Sequence, residues 1–169
     1  MKNLKSLLFA AALIIGASSF MSAQSKVAHI NKEELVKAMP AYAVAQAEVE
    51  KLGKTYQAQI QDSLKELDAK LKQYNAEAEA QTQEENQRRM EEVEGMKQSL
   101  AQFQQNAQQD MQKKEIDLLK PIVEEANKAI QTVAKAQGFQ YVIDSSAGNG
   151  VLLAEGTDLL PAVKKELGI

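Results

Sequence analysis

The sequence has no Cys and no Trp, three Pro, eight Gly, one His and few aromatics among its 169 residues. Each scarcity excludes something. Without Cys there is no disulfide framework, no thiol nucleophile, no Cys-based metal site and no lipid-modified N-terminal Cys. A lone His, His29, with no convergent carboxylate cluster gives no metal site of ordinary spacing. Few large apolar side chains leave too little to fill one thick globular core. The formal charge of −3 argues against a nucleic-acid partner. No apolar run after the N-terminus approaches the roughly 18 residues of a membrane-spanning helix, so no stable membrane insertion is expected of the mature chain.

The N-terminus reads as a secretory signal over residues 1–23. Lys2 and Lys5 form a basic start, Leu7 to Ile15 an apolar stretch, and Ser18, Ser19, Ser22 and Ala23 a small-residue end, with cleavage expected after Ala23.

What remains divides by composition into three parts. In residues 24–40, Lys26 to Ile30 reads as a strand, and Asn31 as the N-cap of a short helix ending at Pro40. Residues 41–120 contain no Pro, only Gly53 and Gly95, and mostly Ala, Gln, Glu, Lys and Leu, all good helix formers. Residues 121–169 carry helical spacing from Ile122 to Val133 that stops at Gly138, then a strand from Phe139 to Asp144. The turn chemistry of Ser145 to Gly150 follows, then a second strand at Val151–Leu152–Leu153–Ala154, together read as a β-hairpin. Thr157 and Asp158 are positioned to cap a last helix ending at Gly168.

The middle part has the most informative pattern. Its apolar stripe runs out through Val49, Leu52, Tyr56, Ile60, Leu64, Leu67, Leu71 and Tyr74. It returns through Met90, Val93, Met96, Leu100, Phe103, Ala107 and Met111, and no large apolar residue falls between Asn75 and Arg89. Antiparallel helices in contact place partners at a constant sum of residue numbers. Pairing Leu52 with Met111, Tyr56 with Ala107, Ile60 with Phe103, Leu64 with Leu100, Leu67 with Met96, Leu71 with Val93 and Tyr74 with Met90 gives 163 or 164 throughout. The pattern predicts a helical hairpin turning near Gln81–Thr82–Gln83, with Gly53 and Gly95 as candidate soft points. The fold class is therefore α+β, mostly α: a long antiparallel hairpin arm and a small strand-built body.

The candidate body core is Val27, Ile30, Phe139, Tyr141, Ile143, Val151, Leu152 and Leu153. So few strands leave open edges, which points to strands shared between copies. No catalytic constellation emerges. The paired Glu residues on the arm read as a solvated helix face, and Gly148–Asn149–Gly150 lacks the Lys and following helix of a phosphate loop. No cofactor is expected.

Leu119–Lys120–Pro121–Ile122, Ala129–Ile130, Val133–Ala134, Gly138–Phe139 and Val142–Ile143–Asp144 resemble the Skp (OmpH-like) periplasmic chaperones. So do the opening Lys26 to Asn31 and the closing helix after Thr157–Asp158. The resemblance implies a periplasmic homotrimer whose strands form a small barrel and whose three arms cage unfolded outer-membrane β-barrel proteins without ATP. Residues 41–120 hold 11 Lys or Arg and 15 Asp or Glu, a net charge of −4, where the best-known members are strongly basic. Lipopolysaccharide binding is therefore not carried over. The competing reading is a structural coiled-coil spacer or adaptor of the envelope.

Overall fold

A computed structural model describes residues 25–169 of the chain; the expected signal segment, residues 1–23, lies outside them. The chain is mostly helical with a small strand body, and its described residues divide into two compact units, one of residues 36–126 and one of residues 25–35 with 127–169. The compositional boundaries at 40 and 120 fall a few residues inside those limits.

The first unit is an antiparallel helical hairpin. Met39 is extended, and Pro40 opens helix α2 (Pro40–Glu77), where its missing N–H costs nothing. The helix is 38 residues, about 57 Å at 1.5 Å per residue. A single 3₁₀ turn, Ala78–Ala80, ends it. Thr82 then caps helix α3 (Gln83–Ala136), its hydroxyl accepting from the Glu85 N–H at 3.2 Å. Asn86 locks the reversal by donating to the Ala78 carbonyl at 2.9 Å. Helix α3 runs through Pro121 without interruption, so this proline neither begins nor ends an element.

The second unit holds a three-stranded parallel sheet in the order β2–β1–β3, built from β1 (Val27–Ile30), β2 (Tyr141–Asp144) and β3 (Thr157–Asp158). Val27 pairs with Tyr141 and His29 with Ile143 on one side, and Ala28 with Thr157 on the other. Helix α1 (Lys32–Ala38) follows β1, with Asn31 as its cap: the Asn31 side-chain oxygen accepts from the Glu34 N–H at 2.9 Å. Helix α3 stops at Gly138, whose φ of +74° lets Phe139 N–H reach back to the Ala134 carbonyl at 2.9 Å. Helix α4 (Leu160–Leu167) has Leu159 as its N-cap, without a side-chain cap bond; Asp158, which the sequence suggests as a cap with Thr157, lies in β3 and accepts from the Leu160 N–H at 2.9 Å, and the helix ends at Gly168.

Two expectations fail here. Val151 to Ala154 is not a strand, and β2 has no hairpin partner. Glycines of positive φ at 148 and 150 turn the chain after β2, but the return to a parallel strand needs a longer connection, and the apolar run falls in it. Leu152 is fully exposed and Leu153 is 75% exposed. The second failure concerns the sheet face. Alternation turns Ala28 and Ile30 inward, both buried, while Val27, Tyr141 and Ile143 share the open face and are exposed. Of the candidate body core, Ile30 alone is buried within one chain; Phe139 and Val151 are half-buried.

Candidate functional site

The hairpin seam joins α2 to α3 by side chains of mixed character. Tyr56 meets Phe103 edge-to-face with ring centroids 5.8 Å apart, and its hydroxyl donates to Asp110 at 2.5 Å. Tyr74 donates to Glu92 at 2.6 Å, and Lys70 pairs with the same carboxylate. Glu48 and Lys114 pair at 3.3 Å near the open end. Val93 and Ala107 are buried. Leu52, Tyr56, Ile60, Leu67, Leu71, Tyr74, Met96, Leu100, Phe103 and Met111 are half-buried, as two helices without a third partner require.

Two residues of the sequence stripe are not in the seam. Leu64 is 47% exposed and Met90 is 68% exposed. The cause is angular. At about 100° per residue, Leu64 lies about 70° off the line through its neighbours and Met90 about 90° off. Their places are taken by Ser63, which is half-buried, and Arg89, whose side chain is only 14% exposed. A polarity-based stripe overlooks both; helical angle alone would have found them.

Arg89 organises the end of the hairpin. Its guanidinium pairs with Glu77 at 2.9 Å and Glu85 at 3.1 Å, and lies over the Tyr74 ring. Hydrogen bonds from Arg88 and then Arg89 hold the Glu85 carboxyl below its ordinary pKa, against the opposing effect of desolvation. Lys70 first and Tyr74 second do the same to Glu92.

The two arm glycines have different surroundings. A Cβ at Gly53 would lie 3.2 Å from the Met111 terminal methyl, so this glycine makes room for a side chain from the opposite helix. Gly95 faces open space within an unbroken helix.

His29 makes short-range structural contacts. Its Nε2 lies 3.2 Å from the Gly156 carbonyl and its Nδ1 3.5 Å from the Ser145 hydroxyl, tying the middle strand to the connection after β2. Among the described residues, no cluster of three or more His, Asp or Glu could hold a metal ion, and no helix is long and apolar enough to cross a membrane.

Surface chemistry is the remaining candidate for function. Of the 11 cations in residues 41–120, eight are ion-paired to carboxylates of the same hairpin. Between these charges stand exposed apolar residues that the seam does not use: Val44, Leu64, Met90 and Ile116. The second unit adds the open sheet face and Leu152–Leu153.

The chain thus combines a long helical hairpin with a three-stranded parallel sheet, and leaves apolar side chains exposed on both. The family of outer membrane proteins described as OmpH-like matches residues 26–167, and the chain belongs to it. Comparison with curated proteins gives no match. Among solved structures, the chain is similar to one from Caulobacter crescentus CB15, described as a candidate outer membrane chaperone (OmpH-like). The two share 19% identity over 87% of each chain, with a TM-score of 0.74, a likeness of fold.

Proposed function

We propose that the protein is an ATP-independent holdase of the periplasm, which shields unfolded outer-membrane β-barrel proteins between helical arms and prevents their aggregation. Membership of the OmpH-like family supports a chaperone role in general. The observation that carries the finer reading is the set of apolar side chains the hairpin leaves in water. Val44, Leu64, Met90 and Ile116 are spread along both helices and not gathered into one specific interface. Scattered apolar contacts suit a client whose own apolar residues are exposed along an extended chain. Each contact is weak, many act together, and release needs no energy source once folding into a membrane is more favourable.

In this reading the arm is 41–120, and the body is 24–40 with 121–169. The body associates as a homotrimer. Strands β2 and β3 each have an unpaired edge, and Val27, Tyr141 and Ile143 present an uncovered apolar face. Strand sharing between three copies would satisfy both. Leu152 and Leu153 are exposed as well.

The test is turbidity after an eight-stranded outer-membrane barrel is diluted from urea. Suppression at about one trimer per barrel is expected. A rigid envelope spacer would leave the barrel aggregating at tenfold excess, and that result would sink the proposal.

A further inference from the structure

The two faces of the hairpin differ at mid-length. On one, Tyr56 is bonded to Asp110, with Asn106, Gln109 and Lys113 beside them. On the other, a shallow groove has an apolar floor of Val49, Gly53, Ile60, Ala107 and Met111. Gly53 keeps that floor low, because it lets the Met111 side chain lie against the α2 backbone. The groove is edged by glutamines at four-residue intervals: Gln57 and Gln61 on α2, and Gln104, Gln108 and Gln112 on α3. All five are exposed, and among the described residues none of their side-chain amides has a hydrogen-bond partner. Of the groove's lining residues, only Glu115, at one end, carries a charge.

We propose that this groove binds an extended, uncharged segment of an unfolded polypeptide, with the glutamine amides reading its peptide backbone and the apolar floor taking its side chains. The inference rests on the holdase reading and names what that site recognises.

Spacing supports it. Four residues of helix rise about 6 Å. Two residues of extended chain advance about 6.6 Å and return the same backbone edge and the same side-chain face. Successive glutamines on α3 therefore meet successive equivalent peptide groups. The mismatch of about 1 Å over three positions lies within the reach of a side chain with three rotatable bonds. Each amide both donates and accepts, as each peptide unit does.

Charge complementarity selects the occupant. A groove whose one charge, Glu115, lies at its end suits a neutral segment with alternate apolar side chains. The outer faces of a second copy's arm, rich in Glu and Lys, would strand their charges over the apolar floor. Readout through the backbone is indifferent to sequence, which a carrier of many clients needs.

The experiment uses the full chain and fluorescence anisotropy with a 12-residue peptide of alternating Val and Ser. A counterpart N-methylated at every second residue removes backbone donors and keeps the side chains. The parent peptide should bind at least about tenfold more tightly than the methylated one, the effect of a few lost hydrogen bonds. The triple variant Q104A/Q108A/Q112A should erase that difference. Ala keeps the helix, which circular dichroism checks. Equal binding of the two peptides, no binding of the parent, or an unaltered preference in the variant would each overturn the inference. So would a loss of subunits in the variant, which would place a second copy in the groove. Barrel turbidity, run alongside on the unaltered protein, separates the two claims: failure to suppress aggregation sinks the holdase reading itself, whereas suppression with indifferent peptides sinks only the backbone readout.

Discussion

The guanidinium carbon of Arg89 sits 4.7 Å from the centre of the Tyr74 ring, so this cation beside the hairpin's reversal is held by stacking as well as by Glu77 and Glu85. Arg suits this position because one planar group can stack and make directed hydrogen bonds together. Replacing Arg89 with Ala should speed amide exchange across residues 78–90 with little change near Val49. Arg89→Lys should restore it only in part. Uniform exchange in all three proteins would show that the network is decorative.

Val93 and Leu64 separate packing from exposure. Val93→Ala should cost about 1–2 kcal/mol, read from denaturant midpoints, because it empties one of the few buried positions in the seam. Leu64→Ala should stay within about 0.5 kcal/mol, as a surface change does. Equal losses would return Leu64 to the seam.

The hairpin was legible in the sequence because its signal is redundant: a mirror pattern over seven pairs survives two wrong members. Leu64 and Met90 were misread because the pattern counts apolar residues, whereas the helix counts angle, and angle selects Ser63 and Arg89. The sheet was less legible. An apolar tetrapeptide after a Gly-rich turn has the composition of a hairpin strand. Yet parallel pairing of Tyr141 to Asp144 with β1 is set by contacts about 114 residues apart in sequence, which no local signal carries. Exposure of Leu152 was invisible for the same reason.

The two glycines of the arm should respond differently to Ala. Gly95→Ala meets open space and should raise stability by about 0.5–1 kcal/mol through helix propensity alone. Gly53→Ala must displace the Met111 methyl, which offsets part of that gain. Thermal melts that rank Gly53→Ala above Gly95→Ala would contradict the packing described for Gly53.

Acid should loosen the second unit through Asp144. Burial works to raise its pKa, but hydrogen bonds from the Ser146 hydroxyl at 2.6 Å, the Ser146 N–H at 3.0 Å and the Lys32 N–H at 3.3 Å outweigh it. The carboxyl is held below its ordinary value. A group depressed on folding stabilises above its unfolded pKa and loses that contribution as pH falls through the folded value. Stability should therefore be level from pH 7 to about pH 5 and decline below about pH 4. Asp144→Asn should be less stable at neutral pH and show a shallower acid decline. An identical acid slope in the variant would remove Asp144 from the account.

Salt should matter little to client capture. Eight of the arm's eleven cations are already paired within it, and the arm's net charge is −4, so no positive field steers an acidic client. Affinity for an unfolded barrel should change less than about threefold between 50 and 500 mM salt. A steep fall would mean that charge, and not apolar and amide contact, holds the client.

The most direct measurement is the mass of the protein in solution, alone and after mixing with an outer-membrane barrel diluted from urea. Three copies alone, and three copies carrying one barrel in a soluble complex, are the predicted species. A single chain that stays single while the barrel precipitates beside it would contradict both the shared-strand body and the caging arms.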